Sequence, residues 1–285
     1  MADVILDTVI DSLKLLPFLL VTYILMEYIE HKAEGGFEKA LHKGGVIGPL
    51  FGGLLGVVPQ CGFSAAASNL YAGRVISLGT LFAVYLSTSD EMLPILISEQ
   101  AEMSLIIKIL VIKALMGIVM GFIVDIALRL SGRKQQDWDI ESLCEREHCS
   151  CEEDEGIIKP ALVHTFHVFI FVFFITFALN TIVYFLGEDV LRNSMTGRPV
   201  VGEFIAALIG LIPNCGASVA LTSLYIEKVM SAGAMMSGLL TGAGVGLLVL
   251  FRVNDHMKEN FIIAGLLYVF GVLGGIFIEF TGLLV

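Results

Sequence analysis

Pro59-Gln60-Cys61-Gly62-Phe63-Ser64 interrupts a long apolar run, and Pro213-Asn214-Cys215-Gly216-Ala217-Ser218 interrupts another such run 154 residues later. At that offset, seven of the thirteen positions from Pro59 to Tyr71 are identical to those from Pro213 to Tyr225. The register continues through Val75/Val229, Ser77/Ser231 and Gly79/Gly233. We therefore predict that the chain is an internal duplication.

A Pro-x-Cys-Gly break is costly inside hydrocarbon. Proline removes a backbone donor, glycine permits a sharp turn, and the peptide groups freed there each cost several kcal/mol if they face lipid. They must be sheltered by protein or by a water-filled cavity. Broken apolar segments at matching places in two halves of a chain indicate a transporter binding site.

The composition indicates an integral membrane protein that sits in a lipid bilayer. Of 285 residues, 56% are hydrophobic and 16% charged, and the mean hydropathy is +0.85; soluble domains carry about 25% charged residues. The net charge of -11 reflects acids gathered in loops, six of them between Cys144 and Glu155, which indicates a solvated loop. Nothing is basic enough for nucleic acid. The start of the chain lacks a signal peptide's basic region, and five cysteines do not suggest a disulfide framework.

We predict an all-α polytopic membrane protein made of two repeats, residues 1–130 and 161–285, separated by an acidic Cys/His loop at 131–160. Each repeat has three spanning helices and a broken re-entrant hairpin, about ten segments in all, because fourteen apolar residues such as Gly45–Val58 are too few to cross alone. The predicted segments are Leu13–Tyr28, Gly45–Val58 with Ser64–Ala72, Val75–Ile97 with a polar interruption at 87–91, Leu105–Leu130, Ala161–Leu186, the hairpin Val201–Ile226, Val229–Phe251 and Phe261–Val285.

Positive charge predicts the orientation of these segments. If the central loop is cytoplasmic, most lysines and arginines lie inside, as the positive-inside bias requires, and both termini lie outside. The two repeats then enter the membrane from opposite sides. Inverted repeats of this kind predict two hairpin tips that face each other near the midplane, the arrangement of alternating access.

The hairpin tips are the predicted substrate site. After each break a helix restarts, and its free N–H groups and positive dipole end suit an anion or an oxygen-rich neutral solute. The alternative is a tight packing turn whose cysteines are small buried hydrophobes. The substrate-binding residues that we predict are Gln60, Cys61, Gly62, Ser64, Asn214, Cys215, Gly216 and Ser218.

A second candidate site lies in the polar interruption of the third segment. Asp90 and Glu91, with Thr88, are predicted to hold a coupling ion or a cation, because carboxylates within a span are costly and usually functional. The alternative is that the span ends early and both acids lie in outer water. Their counterparts are Gly244 and Val245, so the charge belongs to one repeat only. Glu203 could act likewise, but we expect it at the rim of the second hairpin.

The central loop carries a third candidate. Cys144, His148, Cys149 and Cys151 resemble a thiolate site for a soft ion such as zinc, copper(I) or trivalent arsenic. The spacing is not that of a zinc finger, and a loop without metal is the alternative interpretation.

With its duplicated PQCG and PNCG breaks, ten segments and acidic Cys/His loop, the sequence resembles the ten-segment heavy-metal exporter family, related by name to the arsenic permeases and also labelled arsenic efflux protein or manganese transporter. The resemblance covers nearly the whole chain and implies export of a toxic ion or metalloid across the bacterial cytoplasmic (inner) membrane. The positions that match the family's motif are Pro59, Gln60, Cys61, Gly62, Pro213, Asn214, Cys215 and Gly216.

We therefore expect a secondary-active exporter of a heavy-metal or metalloid ion, of the arsenite or Mn(II) class, with no resident cofactor and no enzymatic activity. The cysteines suit arsenite better than Mn(II), which prefers oxygen ligands. One alternative is an exporter of an amino acid or other small organic anion bound at the helix N-termini. An intramembrane enzyme and a channel are further alternatives, and a homodimer is left open.

Overall fold

The structure is a computed structural model and describes residues 47–58, 61–89, 92–131, 201–213 and 215–284, with isolated positions between 9 and 24 and between 162 and 181. The continuous ranges form ten helices and no strand. The helices are α1 (Gly48–Gly56), α2 (Cys61–Ala72), α3 (Leu78–Ser87), α4 (Met92–Ser98), α5 (Met103–Leu130), α6 (Val201–Gly210), α7 (Cys215–Ile226), α8 (Ala232–Thr241), α9 (Gly246–Val253) and α10 (Met257–Thr281).

The helices after the two Pro-x-Cys-Gly breaks begin at the cysteines. We predicted a start at Ser64 for the first of them, but α2 begins at Cys61, almost one turn earlier, and α7 begins at Cys215. The last helix also differs from its prediction, since α10 begins at Met257 and ends at Thr281, where Gly282 takes a left-handed conformation with φ of 62°. The break and the helix start are therefore adjacent in both halves.

The predicted span Val229–Phe251 corresponds to the apolar stretch Ala232–Val253, which the structure divides into two helices. The stretch Ala232–Val253 is apolar enough to span, but α8 ends at Thr241 and α9 begins at Gly246. At the break, the N–H of Ala243 donates to the carbonyl of Thr241, and Gly244 has a φ of 54°. Glycine adopts that backbone conformation without steric cost, which explains why an apolar segment can break there.

The helices of the first half recur in the second half at the offset seen in the sequence. α2 and α7 each end in a turn with a left-handed residue, Arg74 and Lys228, both with a φ of 58°. The next helices each have a serine N-cap: Ser77 accepts from the N–H of Thr80, and Ser231 from that of Ala234. The duplication therefore extends from residue identity to local backbone conformation.

An acid on each long helix caps the amino end of its central neighbour. Asp125 of α5 accepts a 2.8 Å hydrogen bond from the N–H of Gly79, and Glu279 of α10 accepts a 2.8 Å bond from the N–H of Gly233. These residues are again 154 positions apart. Asp125 also accepts a 2.7 Å bond from the hydroxyl of Ser77. A carboxylate at a helix N-terminus satisfies free donors and opposes the positive end of the dipole.

We expect Asp125→Ala to lower the free energy of unfolding by about 2–3 kcal/mol, because it leaves the buried N–H of Gly79 without its acceptor. Asp125→Asn, which keeps one acceptor, should cost less. Glu279→Ala is the matched control, since Glu279 is exposed and water can replace it. The check is thermal unfolding of the three variants in detergent, and an equal loss for Asp125→Ala and Glu279→Ala would contradict the assignment.

The two central helices are α3 and α8, which are buried along almost their whole length and contact each other. Each packs against the corresponding three neighbours of its own half, α1, α2 and α5 around α3, and α6, α7 and α10 around α8. The contacts between the two halves are also equivalent, because α2 packs on α9 and α7 packs on α4. The halves are thus interlocked through the short helices on either side of the breaks.

The outer helices have exposed apolar faces. On α5 the side chains that recur at nearly every fourth position are about half exposed: Ile107, Val111, Leu115, Val119 and Ile123. Three stretches are long and apolar enough to cross a membrane: Met103–Leu130, Ala232–Val253 and Met257–Thr281. Apolar surfaces of this extent are rare on soluble monomers but are what hydrocarbon requires.

Several predicted segments lie outside the continuous described ranges. They are the first span Leu13–Tyr28, the span Ala161–Leu186, apart from isolated helical positions in each, and the central loop at 131–160, apart from Ser131.

Candidate functional site

The first Pro-x-Cys-Gly break lies beside a break of the other half. Ser64, one turn into α2, is 0% exposed, and a Cβ added to Gly246 at the start of α9 would lie 2.7 Å from its carbonyl carbon and its Cβ. Only a glycine allows so close an approach of two backbones. The amino-terminal turn of α2 is thus seated against the amino end of α9.

A buried polar group fixes this contact. The Ser68 hydroxyl lies 2.6 Å from the carbonyl oxygen of Gly246 and 2.7 Å from the Tyr85 hydroxyl, which itself lies 3.2 Å from the same carbonyl. Ser68 and Tyr85 are both fully buried. The three residues belong to α2, α3 and α9, so one hydrogen-bond network holds both halves together at the break.

The second Pro-x-Cys-Gly break has a related position. A Cβ added to Gly242, at the end of α8, would lie 3.6 Å from the hydroxyl of Ser218 in α7. The same helix α7 contacts α4, which begins at Met92 directly after the first half's second break. In both halves, the helix after a Pro-x-Cys-Gly break therefore lies beside the second broken element.

The polar interruption after α3 is tied to the carboxyl end of α1. The hydroxyl of Ser89 donates a 2.6 Å hydrogen bond to the carbonyl of Val57, two residues before Pro59. Thr88 is buried at 3% exposure and donates to the carbonyl of Val84 at 2.7 Å, within its own helix. A hydrogen bond thus joins the polar interruption to the end of α1, just before the first Pro-x-Cys-Gly break.

The predicted substrate residues are described to different extents. Gly62 and Ser64 are buried in α2, and Ser218 is partly buried in α7. Cys61, Cys215 and Gly216 lie in the first turns of α2 and α7. Lying outside the described residues are Gln60, Asn214, Asp90, Glu91, Cys144, His148, Cys149 and Cys151.

The expected rim position of Glu203 is wrong. Its side chain is 2% exposed in the first turn of α6, and its carbonyl accepts a 2.8 Å hydrogen bond from the hydroxyl of Ser237 in α8. The residue therefore lies inside the helix packing of the second half.

Lys113 was not singled out from the sequence, although the structure buries it completely. It lies within the apolar helix α5, is 1% exposed, and donates a 2.5 Å hydrogen bond to the carbonyl of Leu239 in α8. An ammonium inside a span costs about 3 kcal/mol or more relative to an apolar residue. Lysine within a predicted span was the signal that could have identified it.

A charged network joins the turn after α2 to the start of α10. Arg74 is 8% exposed and donates to both carboxylate oxygens of Glu259, at 3.1 and 3.0 Å. The Tyr71 hydroxyl donates to the same carboxylate, and Asn254 lies 3.4 Å from it. Burial alone would lower the pKa of Arg74, but its interactions with Glu259 and with Tyr71 together outweigh burial and raise the pKa.

The duplication repeats only part of this charged network. At the offset of 154, Tyr71 and Arg74 correspond to Tyr225 and Lys228, whereas Glu259 corresponds to Leu105. The equivalent set of positions therefore keeps an aromatic and a basic residue, Tyr225 and Lys228, but has the apolar Leu105 in place of the carboxylate.

Within the continuous described ranges and the isolated positions, no three His, Cys, Asp or Glu residues are grouped as a metal site. The chemistry found among these residues is a set of hydroxyls, backbone carbonyls and helix ends beside four breaks. Such groups can bind a small solute or ion through oxygen and N–H groups.

Apolar outer helices around interlocked, broken inner helices define a multi-pass membrane protein, and the setting of its candidate site is that of a transporter. The model of the family described as "Putative, 10TM heavy-metal exporter" matches residues 1–191. The chain belongs to this family, as its resemblance predicts. Searches of curated proteins and of solved structures each found no match.

The family match ends before the second Pro-x-Cys-Gly break at residues 213–216. It therefore includes the first repeat and the central loop. The helices α6 to α10 lie beyond it, and their correspondence to α1 to α5 is what links them to the matched part.

Proposed function

We propose that the protein is a secondary-active exporter of a heavy-metal or metalloid ion of the arsenite or Mn(II) class. Its two halves are inverted repeats with re-entrant hairpins, and the substrate binds between the hairpin tips. The observation that carries the proposal is the exchanged packing of α2 on α9 and α7 on α4, because each helix after a Pro-x-Cys-Gly break then lies beside a short helix that follows a break of the other half. Family membership supports a metal or metalloid as the cargo.

Alternating access follows from the same arrangement. Movement of one broken element relative to its partner in the other half would expose the site first to one side and then to the other. No ATP-binding motif stands in the sequence, so an ion gradient supplies the energy. Asp90, Glu91 and Thr88 are the proposed coupling-ion residues, in the bacterial cytoplasmic membrane with the central loop inside. The protein is not an enzyme in this proposal.

The direct test is flux in proteoliposomes loaded on one side with arsenite, Mn(II) or Zn(II). The proposal predicts saturable flux of at least one of these ions, driven by a proton or sodium gradient. Flux that does not saturate and ignores the gradient would identify a channel instead.

An exporter of a small organic anion is the second candidate. It is favoured by one observation: both hairpin helices begin immediately after their Pro-x break. Helix N-termini bind carboxylates well. Competition by amino acids or other carboxylates, with no effect of arsenite or Mn(II), would select this cargo.

Substitution of the hairpin amides tests the site for either cargo. We expect Gln60→Leu and Asn214→Leu each to reduce flux about tenfold or more, because a lost hydrogen bond to a charged or polar ligand is worth about 1.5 kcal/mol or more. Ser98→Ala is the matched control, since the Ser98 hydroxyl is exposed and bonds only within its own turn. Full flux in both leucine variants would exclude the amides from the site.

A further inference from the structure

Lys113 connects the two halves through a buried charge. Its helix α5 belongs to the first half, and the carbonyl of Leu239 that accepts its 2.5 Å hydrogen bond belongs to α8 of the second half. At 1% exposure the ammonium has no access to bulk water. A charge in such a place depends on the protein groups around it, and this carbonyl is one of them.

The carbonyl of Leu239 lies at the broken end of a helix. The N–H of Ala243 would bond to it if α8 continued, but that N–H donates to the carbonyl of Thr241 instead. The last carbonyls of a helix lack intrahelical partners and form the negative end of its dipole. In transporters, the carboxyl-terminal ends of broken helices are places where cations bind.

The duplication provides an internal comparison. Lys113 corresponds to Leu267 of α10, which is 0% exposed within an apolar cluster, and Leu239 corresponds to Tyr85 of α3. The helices equivalent to α5 and α8 are α10 and α3, which contact each other, and Leu267 and Tyr85 lie in one buried apolar cluster. Because leucine fills the position equivalent to Lys113, the duplicated fold does not itself require an ammonium there.

The carbonyl that binds Lys113 also lies close to the candidate substrate site. Leu239 is three residues before Gly242, where Ser218 of the second hairpin approaches α8. One helical turn is about 5.4 Å. The ammonium is therefore bound about one turn from the break that the second hairpin faces.

We propose that the carbonyl end of α8 is a monovalent-cation site of the transport pathway and that Lys113 occupies it in this conformation as a tethered cation. The ammonium leaves the carbonyl when the two halves move relative to each other, and it returns when the cycle is complete. This inference rests on the proposed transport function for its role in the cycle, but the cation site itself can be tested without transport.

The site is tested by thermal unfolding of Lys113→Ala in detergent. We expect a lower midpoint than that of the wild type, with at least half of the loss recovered by ethylammonium chloride, which can donate N–H groups to the vacated carbonyl. Tetramethylammonium chloride at equal concentration, which has no N–H, should recover little. Lys108→Ala, an exposed lysine of the same helix, is the matched control and should respond to neither salt. Equal effects of the two salts on Lys113→Ala would overturn the proposed site.

The role in transport is tested with Lys113→Gln and Lys113→Arg. Gln keeps an N–H donor without the charge, and Arg keeps the charge. We expect Lys113→Gln to fold with a midpoint near that of the wild type but to lose flux about tenfold, as expected when a charge-assisted contact is removed, whereas Lys113→Arg retains flux. Wild-type flux in Lys113→Gln would reduce Lys113 to a helix cap and overturn the inference. Absence of flux in the wild type would instead contradict the transport function and leave the ethylammonium result to decide the cation site.

Discussion

Gly246→Ala is expected to destabilise the protein by about 2–3 kcal/mol, or to prevent its folding, because a methyl group has no room between α2 and α9. The added Cβ would lie 2.7 Å from the carbonyl carbon and Cβ of Ser64 and 2.8 Å from its carbonyl oxygen. Backbone atoms cannot move aside as a flexible side chain does. The contact between the halves would have to open, with loss of the Ser68 hydrogen bond to the carbonyl of Gly246.

Gly265→Ala is the matched control for this variant. Gly265 lies within α10, and a Cβ added there would meet nothing within 4 Å. Alanine in an open helical position stabilises by up to about 1 kcal/mol relative to glycine. Yield of folded protein and the thermal midpoint in detergent measure both variants. A Gly246→Ala protein as stable as Gly265→Ala would show that α2 and α9 do not pack this closely.

Arg74→Glu is expected to lower the free energy of unfolding by about 2–3 kcal/mol, because it replaces an ion pair with two hydrogen bonds by two facing carboxylates. Breaking a fully buried ion pair costs about 3–5 kcal/mol, and the partial exposure of Glu259 reduces that value. The ion pair joins the turn after α2 to the first turn of α10, so its loss loosens the halves at that end. We expect flux to fall together with stability.

The double variant Arg74→Glu with Glu259→Arg is the control for charge alone. It restores opposite charges and should recover at least part of the stability and of the flux. Leu105→Glu is the informative counterpart, because it places a carboxylate at the position that corresponds to Glu259 in the other half, with Lys228 corresponding to Arg74. Alternating access predicts that this new pair also slows transport, by favouring closure at the opposite end. If the double variant were no better than Arg74→Glu, the ion pair would not be the cause.

The duplication was the part of the fold most accessible from sequence. Identical residues at one offset predicted the paired helices α2 and α7, because the Pro-x-Cys-Gly break fixes where an apolar run must stop and restart, although α2 begins three residues before its predicted start. The polar interruption at 87–91 was predicted for the same reason, since hydroxyls and acids interrupt an apolar segment visibly. The family assignment, made from the breaks, is confirmed by the match over residues 1–191.

The hydropathy of the sequence did not predict the break between α8 and α9. Gly242, Ala243 and Gly244 are as apolar as their neighbours, and only the backbone conformation, with a φ of 54° at Gly244, shows that the helix ends there. Comparison with the interruption in the first half at the same offset would have indicated it. The offset therefore carries information that hydropathy alone does not.

The charged residues within the helices were missed for a related reason. Asp125 and Glu279 are of different residue types, so a search for identical residues passes over them, although both are acids 154 positions apart that cap equivalent glycines. Lys113 and the Arg74 ion pair have no such counterpart, because Leu267 and Leu105 stand at the equivalent positions of Lys113 and Glu259. Contacts between the halves depend on how the helices pack in three dimensions, and no pattern within one segment predicts them.

In the proposed transport cycle, the two hairpin tips line one site that opens to the two sides of the membrane in turn. This cycle is tested most directly by labelling Cys61 and Cys215 with a membrane-impermeant maleimide in a variant with Cys144, Cys149 and Cys151 replaced by serine. Labelling is compared in vesicles of known and opposite orientation, with and without transported ion. We expect both cysteines to be reached from one side at a time, and the ion gradient to shift the labelling of both to the other side. Simultaneous labelling from both sides, or a fixed side for each cysteine under all conditions, would contradict it.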